Sequence, residues 1–244
     1  MNLIVDIGNT GIKLAVFNEK NKLIYFTTVE RSCIFDKLDH IIHDLKPAYA
    51  LISCVGEPVN PLDEYLNKKN IRFFHLSYKL KLPFKIAYKT PATIGADRLG
   101  LVAGALLYKQ NTHQLIIDAG TCVTYDFVDK DNIYRGGAIS PGLQLRYKAL
   151  NNYTANLPLL SIPKNHVPLI GTDTTTSIQS GVIRGLANEI EGFIVKYNLK
   201  YTPLTVYLTG GDEKLLDSYI KNKIFVNSKF LLLEGMNHIL NLNK

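Results

Sequence analysis

The feature that most constrains this chain is a junction that occurs twice. An apolar strand ends on Asp-x-Gly, and a second apolar strand begins a few residues later. The first copy is Asp6-Ile7-Gly8-Asn9-Thr10, and the second is Asp118-Ala119-Gly120-Thr121, close to half of the 244 residues further on. A duplication of this size predicts two similar halves that meet near residue 112, as domains 1–112 and 113–244. Strand-length apolar runs alternate with helical patterns in both halves, which predicts α/β layers. Ile12–Phe17 and Leu23–Val29 read as strands after the first junction, and Val123–Val128 and Ile133–Ile139 after the second. Ile34–Leu45 reads as a helix, because Ile34, Leu38, Ile41, Ile42 and Leu45 fall on one stripe. Thr93–Tyr108 and Thr175–Tyr197 read as longer helices. The Lys- and Pro-bearing stretch Tyr78–Pro91 reads as a loop, and a strand near Ile224–Asn227 precedes a final helix. Within the long helix, Gly181 and Gly185 are expected to permit close helix packing, in the core or across a dimer.

The residue types at these junctions suit phosphate. In Asp6–Lys13 (DIGNTGIK) the Gly- and Asn-rich turn lets backbone N–H groups point at an anion. Asn9 and Thr10 add side-chain donors and Lys13 a point charge. Asp6, at the strand end, can orient magnesium-bound water. The turn lacks the Walker A spacing. Asp118–Thr124 (DAGTCVT) repeats the carboxylate, glycine and hydroxyl, and Thr209-Gly210-Gly211-Asp212 follows a later strand. Each turn alone is equally well read as an ordinary hairpin turn. Gly95-Ala96-Asp97-Arg98 opens a helix whose N-terminus favours an anion. Asp97 there can accept the proton of an attacking hydroxyl, and Arg98 can fork onto a carboxylate. Read alone, this pair is equally a helix-start charge and a surface ion pair.

Together the three turns resemble the superfamily of acetate and sugar kinases, heat-shock proteins and actin. That resemblance implies two ribonuclease-H-like (actin-like ATPase) domains with mixed sheets flanked by helices, and use of ATP. The ordered set DIGNTGIK, Tyr88, GADR, DAGTCVT, Gly136–Gly142 (GGAISPG) and Gly171–Gly181 (GTDTTTSIQSG) resembles the type III pantothenate kinases over nearly the whole chain. By that resemblance Asp6, Ile7, Gly8, Asn9, Thr10, Gly11, Ile12, Lys13 and Thr121 contact ATP. Tyr88, Gly95, Ala96, Asp97, Arg98 and Thr174 line a pantothenate pocket, with Asp97 as general base. Asp118 holds a monovalent cation, K+ or NH4+, and Mg2+ accompanies ATP. The implied product is 4′-phosphopantothenate, the first intermediate towards coenzyme A, and the implied assembly is a homodimer. Two departures stand out. Cys122 replaces a frequent Ala, and Asp173 stands where Asn is common, adding negative charge beside the expected substrate pocket.

Composition excludes several other classes. With 46% apolar and 20% charged residues the chain is globular. Its formal charge of +7 gives a mild rationale for anionic substrates. Cys33, Cys54 and Cys122 form no C-x-x-C and suit a reducing cytoplasm. No apolar run is long enough to cross a bilayer, and MNLIVDIGNT is not read as a signal peptide. The lysines of Lys79–Lys89 interleave with Phe84 and Tyr88 but carry no nucleic-acid motif. Two rival readings remain: a non-catalytic transcriptional accessory factor of this fold, and a kinase for another small hydroxy compound.

Overall fold

The computed structural model describes residues 1–163, 165–221, 225–227 (backbone) and 229–244. Its strands are β1 (Asn2–Ile7), β2 (Ile12–Phe17), β3 (Leu23–Val29), β4 (Tyr49–Cys54), β5 (Arg72–His75), β6 (Lys85–Ile86), β7 (His113–Ala119), β8 (Cys122–Val128), β9 (Ile133–Pro141), β10 (Leu204–Thr209) and β11 (Phe225–Asn227). Its helices are α1 (Ile34–Leu45), α2 (Leu62–Lys68), α3 (Ala96–Tyr108), α4 (Leu143–Asn152), α5 (Thr174–Gln179), α6 (Gly185–Lys200), α7 (Glu213–Asp217) and α8 (Leu231–Asn243). The expected strand near Ile224–Asn227 is β11, and Ile224 itself lies outside the described residues.

The chain forms two compact units. The first comprises Met1–Gln110, Asn132–Tyr134 and Phe230–Lys244, and the second Asn111–Asp131 and Arg135–Lys229. In the first, the strand order is β3-β2-β1-β4-β5. There β1 is antiparallel to β2 and parallel to β4. In the second, the order β9-β8-β7-β10-β11 repeats this arrangement. Strand β7 is antiparallel to β8 and parallel to β10. The duplication read from two short motifs is therefore a duplication of sheet topology. Alternation along β1 sends Leu3, Val5 and Ile7 into a core with Ile34 and Leu38 of α1 and Leu62 and Leu66 of α2. In the second unit Leu115, Ile117 and Ala119 of β7 bury against Leu186, Ile190 and Ile194 of α6.

The structure departs from four expectations. A single cut at residue 112 assigns the last helix to the second half, whereas α8 belongs to the first unit. The cause is packing: α8 lies directly on α3, with no room for side chains at the crossing. A Cβ on Gly235 would sit 1.9 Å from the Gly100 carbonyl oxygen, and one on Gly104 would sit 2.1 Å from that of Leu231. The helix read over Thr175–Tyr197 starts one residue earlier and is interrupted by a π turn at Ser180–Arg184 between α5 and α6. Gly181 and Gly185 face open space, which excludes their packing within the core, and the glycines at the close helix crossing of the first unit are Gly100, Gly104 and Gly235. Finally, the loop Tyr78–Pro91 contains the two-residue strand β6, which pairs in parallel with Ile133 and Tyr134.

Candidate active site

The first Asp-x-Gly junction is the tight end of the β1–β2 hairpin. Gly8 N–H donates to the Gly11 carbonyl at 3.1 Å, leaving Asn9 and Thr10 exposed at the tip. Asp6 and Lys13 are register partners across the hairpin, and Lys13 Nζ lies 3.2 Å from Asp6 Oδ2. The carboxylate is 3% exposed, and a buried charge needs such a partner. Its other oxygen, Oδ1, is buried without a hydrogen-bond partner. Ser53, opposite Asp6 on β4, carries a second such orphan, its Oγ. As register neighbours on parallel strands, Asp6 and Ser53 present their side chains on one sheet face. Ser53 carries no motif signal in the sequence.

The turn is braced from behind. Val55 and Gly56 N–H both donate to the Ile7 carbonyl, and Arg31 Nη2 donates to the Gly8 carbonyl at 3.3 Å. A Cβ on Gly56 would lie 2.8 Å from that same Gly8 oxygen. A 270 Å³ cavity lined by Ile7, Cys54, Asp63 and His75 opens nearby. Ile7 points to the α1–α2 side, so this cavity is on the opposite sheet face from Asp6.

The second junction repeats these features in its own unit. Asp118 opposes Thr124 across the β7–β8 hairpin and Thr209 on parallel β10. A carboxylate at the end of the central strand thus has a hydroxyl residue beside it in both units. Asp212 N–H donates to the Ala119 carbonyl at 3.0 Å, as Val55 N–H does to the Ile7 carbonyl. Gly210 makes this approach possible: its φ is +103°, and a Cβ there would lie 2.6 Å from Asp118 Oδ1. Burial raises the Asp212 carboxyl above its ordinary range. Thr121 and Cys122 are exposed at the hairpin tip, and the Thr121 carbonyl accepts from Gly142 N–H at 3.0 Å. GGAISPG therefore packs on the second turn.

Asp97 and Arg98 occupy the first turn of α3, whose N-cap is Gly95. A Cβ at Gly95 would lie 2.5 Å from Asp97 Oδ1, so only glycine leaves the carboxylate its place. Arg98 N–H donates to that oxygen at 2.8 Å. The Arg98 side chain is 5% exposed, and its Cζ lies 6.0 Å from the Tyr134 ring centre. Tyr88 is nearly parallel to the same ring at 9°, with centroids 6.2 Å apart. Strand β6 produces this grouping, since Ile86 pairs with Tyr134. Tyr134, an unremarkable strand residue in the sequence, is the plate that joins Tyr88 to Arg98. Ala96 is buried.

Thr174 is the first residue of α5 and is exposed. The neighbouring Asp173 is the N-cap: its Oδ1 accepts from Thr176 N–H at 2.9 Å, and the Thr176 hydroxyl completes a capping box. These hydrogen bonds lower its carboxyl below the ordinary range. The departure from Asn at this position thus keeps the capping function. Among the described residues, no three His, Cys, Asp or Glu side chains converge into a metal-holding group.

A family model described as type III pantothenate kinase matches residues 2–196. Full-length relatives of that name include one from Christiangramia forsetii, 44% identical over 100% of this chain and 99% of its own. Another, from Phocaeicola vulgatus, is 42% identical over 100% and 99%. Among solved structures, a Campylobacter jejuni protein titled as a member of a Baf family of transcriptional activators aligns with a TM-score of 0.62 at 22% identity, over 98% and 97% of the two chains. A glucokinase from an Antarctic psychrotroph aligns at 0.52 and 12% identity, over 98% of each. These structural likenesses show the fold, that of the actin-like sugar kinases. With the paired Asp-x-Gly hairpins, the GADR helix start and the full-length sequence match taken together, the chain belongs to the type III pantothenate kinase family.

Proposed function

We propose that this protein transfers the γ-phosphoryl group of ATP to the primary hydroxyl of pantothenate. Kinase activity and ATP use come with the family. The observation that carries the substrate reading is the Tyr88–Tyr134–Arg98 group beside Asp97 on one helix start. Arg98, desolvated and held over an aromatic face, suits the pantothenate carboxylate. Tyr88 and Thr174 suit its hydroxyl and amide groups. Asp97 takes the proton from the primary hydroxyl as that oxygen bonds to the γ-phosphorus. The bond from phosphorus to the β-phosphate oxygen breaks, and ADP leaves with the electron pair.

Asn9, Thr10, Lys13 and the backbone of the first turn hold phosphate oxygens, as does Thr121. The orphaned Asp6 Oδ1 and Ser53 Oγ fit a hydrated magnesium ion, whose chemistry is neutralisation of phosphate charge. Asp118, with one carboxylate and neighbouring carbonyls, fits a large monovalent cation. Among the described residues no helix is long and apolar enough to cross a membrane, and the free cysteines suit the cytoplasm.

An ADP-release assay with pantothenate, ATP and magnesium tests the reaction. Release that depends on pantothenate supports it, and release that is indifferent to pantothenate sinks it in favour of another hydroxy substrate. In the same assay Asp118→Asn is expected to remove most of the gain that K+ or NH4+ gives over Na+. Intact cation activation in that variant would refute the cation site.

A homodimer is the proposed assembly. Gly181, Gly185, Asn188, Gly192, Val195 and Leu199 follow a four-three alternation along one face of the second unit's long helix. The three glycines face open space, and Val195 and Leu199 are 44% and 82% exposed. Small residues of this spacing let two helices approach closely. Wild type is expected to sediment at twice its 27.4 kDa mass, and Leu199→Glu as monomer. A monomeric wild type would remove this assembly.

A further inference from the structure

The phosphate turns need rigid backbones, and the second one is held by a polar network that the proposed reaction does not itself use. Arg146, on α4, donates from Nε to the Pro141 carbonyl at 2.8 Å and from Nη2 to Ser140 Oγ at 2.9 Å. The same Nη2 meets Glu189 Oε2, from α6, at 2.5 Å. The other oxygen of Glu189 accepts from Tyr125 OH at 2.9 Å, and Tyr125 is on β8, the outgoing strand of the turn. The pair is mostly shielded, with side chains 21% and 26% exposed. Burial alone raises the Glu189 carboxyl, but hydrogen bonds from Arg146, Ser140 and Tyr125 outweigh it and leave it below its ordinary range. The pair is therefore ionised.

We propose that Arg146, anchored by Glu189, is a positioning residue for the ATP-phosphate turn at Gly120–Thr121. The path is short and continuous. Arg146 grips the Ser140–Pro141 segment by a side-chain oxygen and a backbone carbonyl. Proline fixes its own φ, so the segment transmits that grip rather than absorbing it. The next residue, Gly142, contacts the turn directly. Its N–H donates to the Thr121 carbonyl at 3.0 Å, and a Cβ on it would lie 2.1 Å from the Gly120 oxygen and 2.7 Å from that of Thr121. Glu189 ties this arm to β8 through Tyr125, so the turn is held from its outgoing strand and from the loop packed on it. A guanidinium suits this task because it donates in a fixed plane, whereas an ammonium supplies charge without the fork. The inference rests on reading Thr121 as a phosphate ligand.

The test measures steady-state kinetics in both substrates, with melting temperatures, for Arg146→Met, Arg146→Lys, Glu189→Gln and Thr121→Ala. Arg146→Met is expected to raise KM for ATP about tenfold, the equivalent of one charge-assisted hydrogen bond, with KM for pantothenate within about twofold. Arg146→Lys is expected to recover part of that loss. Thr121→Ala is expected to raise KM for ATP too, and to add little in an Arg146→Met background, because the two act on one element. A lower melting temperature with both KM values unchanged, or an equal rise in both, would overturn the positioning role while leaving the reaction intact. No change in KM for ATP in Thr121→Ala would overturn the phosphate reading of the turn and the inference with it. If Arg146→Met does not fold, Arg146→Lys and Glu189→Gln decide by the same split between substrates.

Discussion

Asp97→Asn is expected to lower turnover by about 10²–10⁴-fold, the usual contribution of a positioned general base. Pantothenate affinity is expected to change little. The substitution is well matched to the site. Asn keeps the shape that the missing Cβ of Gly95 accommodates, and its carbonyl oxygen can still accept from Arg98 N–H. What is lost is the capacity to take a proton while the hydroxyl attacks phosphorus. The assay is pantothenate-dependent ADP release, with binding followed separately by calorimetry and folding by thermal melting. Turnover within threefold of wild type would remove Asp97 from the role of base. A large drop in melting temperature would instead mark the variant as misfolded, and Asp97→Ser would then replace it.

Gly235→Val is expected to destabilise the first unit strongly. A Cβ on Gly235 falls 1.9 Å from the Gly100 oxygen and 2.4 Å from the Gly104 nitrogen, both backbone atoms of α3. Backbone cannot rotate away as a side chain does, so α8 and α3 must separate. Overpacking typically costs about 1–3 kcal/mol and sometimes more. For a chain of this length, about 3 kcal/mol corresponds to a fall in melting temperature of roughly 10 °C. Asp97 and Arg98 lie in the first turn of α3, so turnover below the melting transition is also expected to fall. Lys68→Ala is the control, because Lys68 is exposed on α2, and alanine favours helix. If Gly235→Val melted with the control, the close crossing of α3 and α8 would be wrong.

The sequence carried both Asp-x-Gly hairpins because their signals are local. A turn of this kind is written in adjacent residues, and its strands in a few apolar ones beside it. The same holds for Gly95, Ala96 and Asp97, three residues that make a helix start. Local too is the apolar stripe of α1.

What the sequence could not carry is whatever depends on distant segments meeting. Ser53 joins Asp6 only because β4 pairs in parallel with β1 after a helical crossover. Tyr134 joins Tyr88 and Arg98 only because two residues of β6 pair with the start of β9. The Arg146–Glu189 pair spans 43 positions and has no periodic signature. The assignment of α8 to the first unit depends on three glycines whose importance lies in what a Cβ would strike. By itself the sequence determined the duplicated junctions, the class of fold and the chemistry at the tips of the turns. Only the tertiary structure decided which residues brace those turns and where the last helix docks, because such contacts are set by strand register and helix crossing rather than by neighbours in the chain.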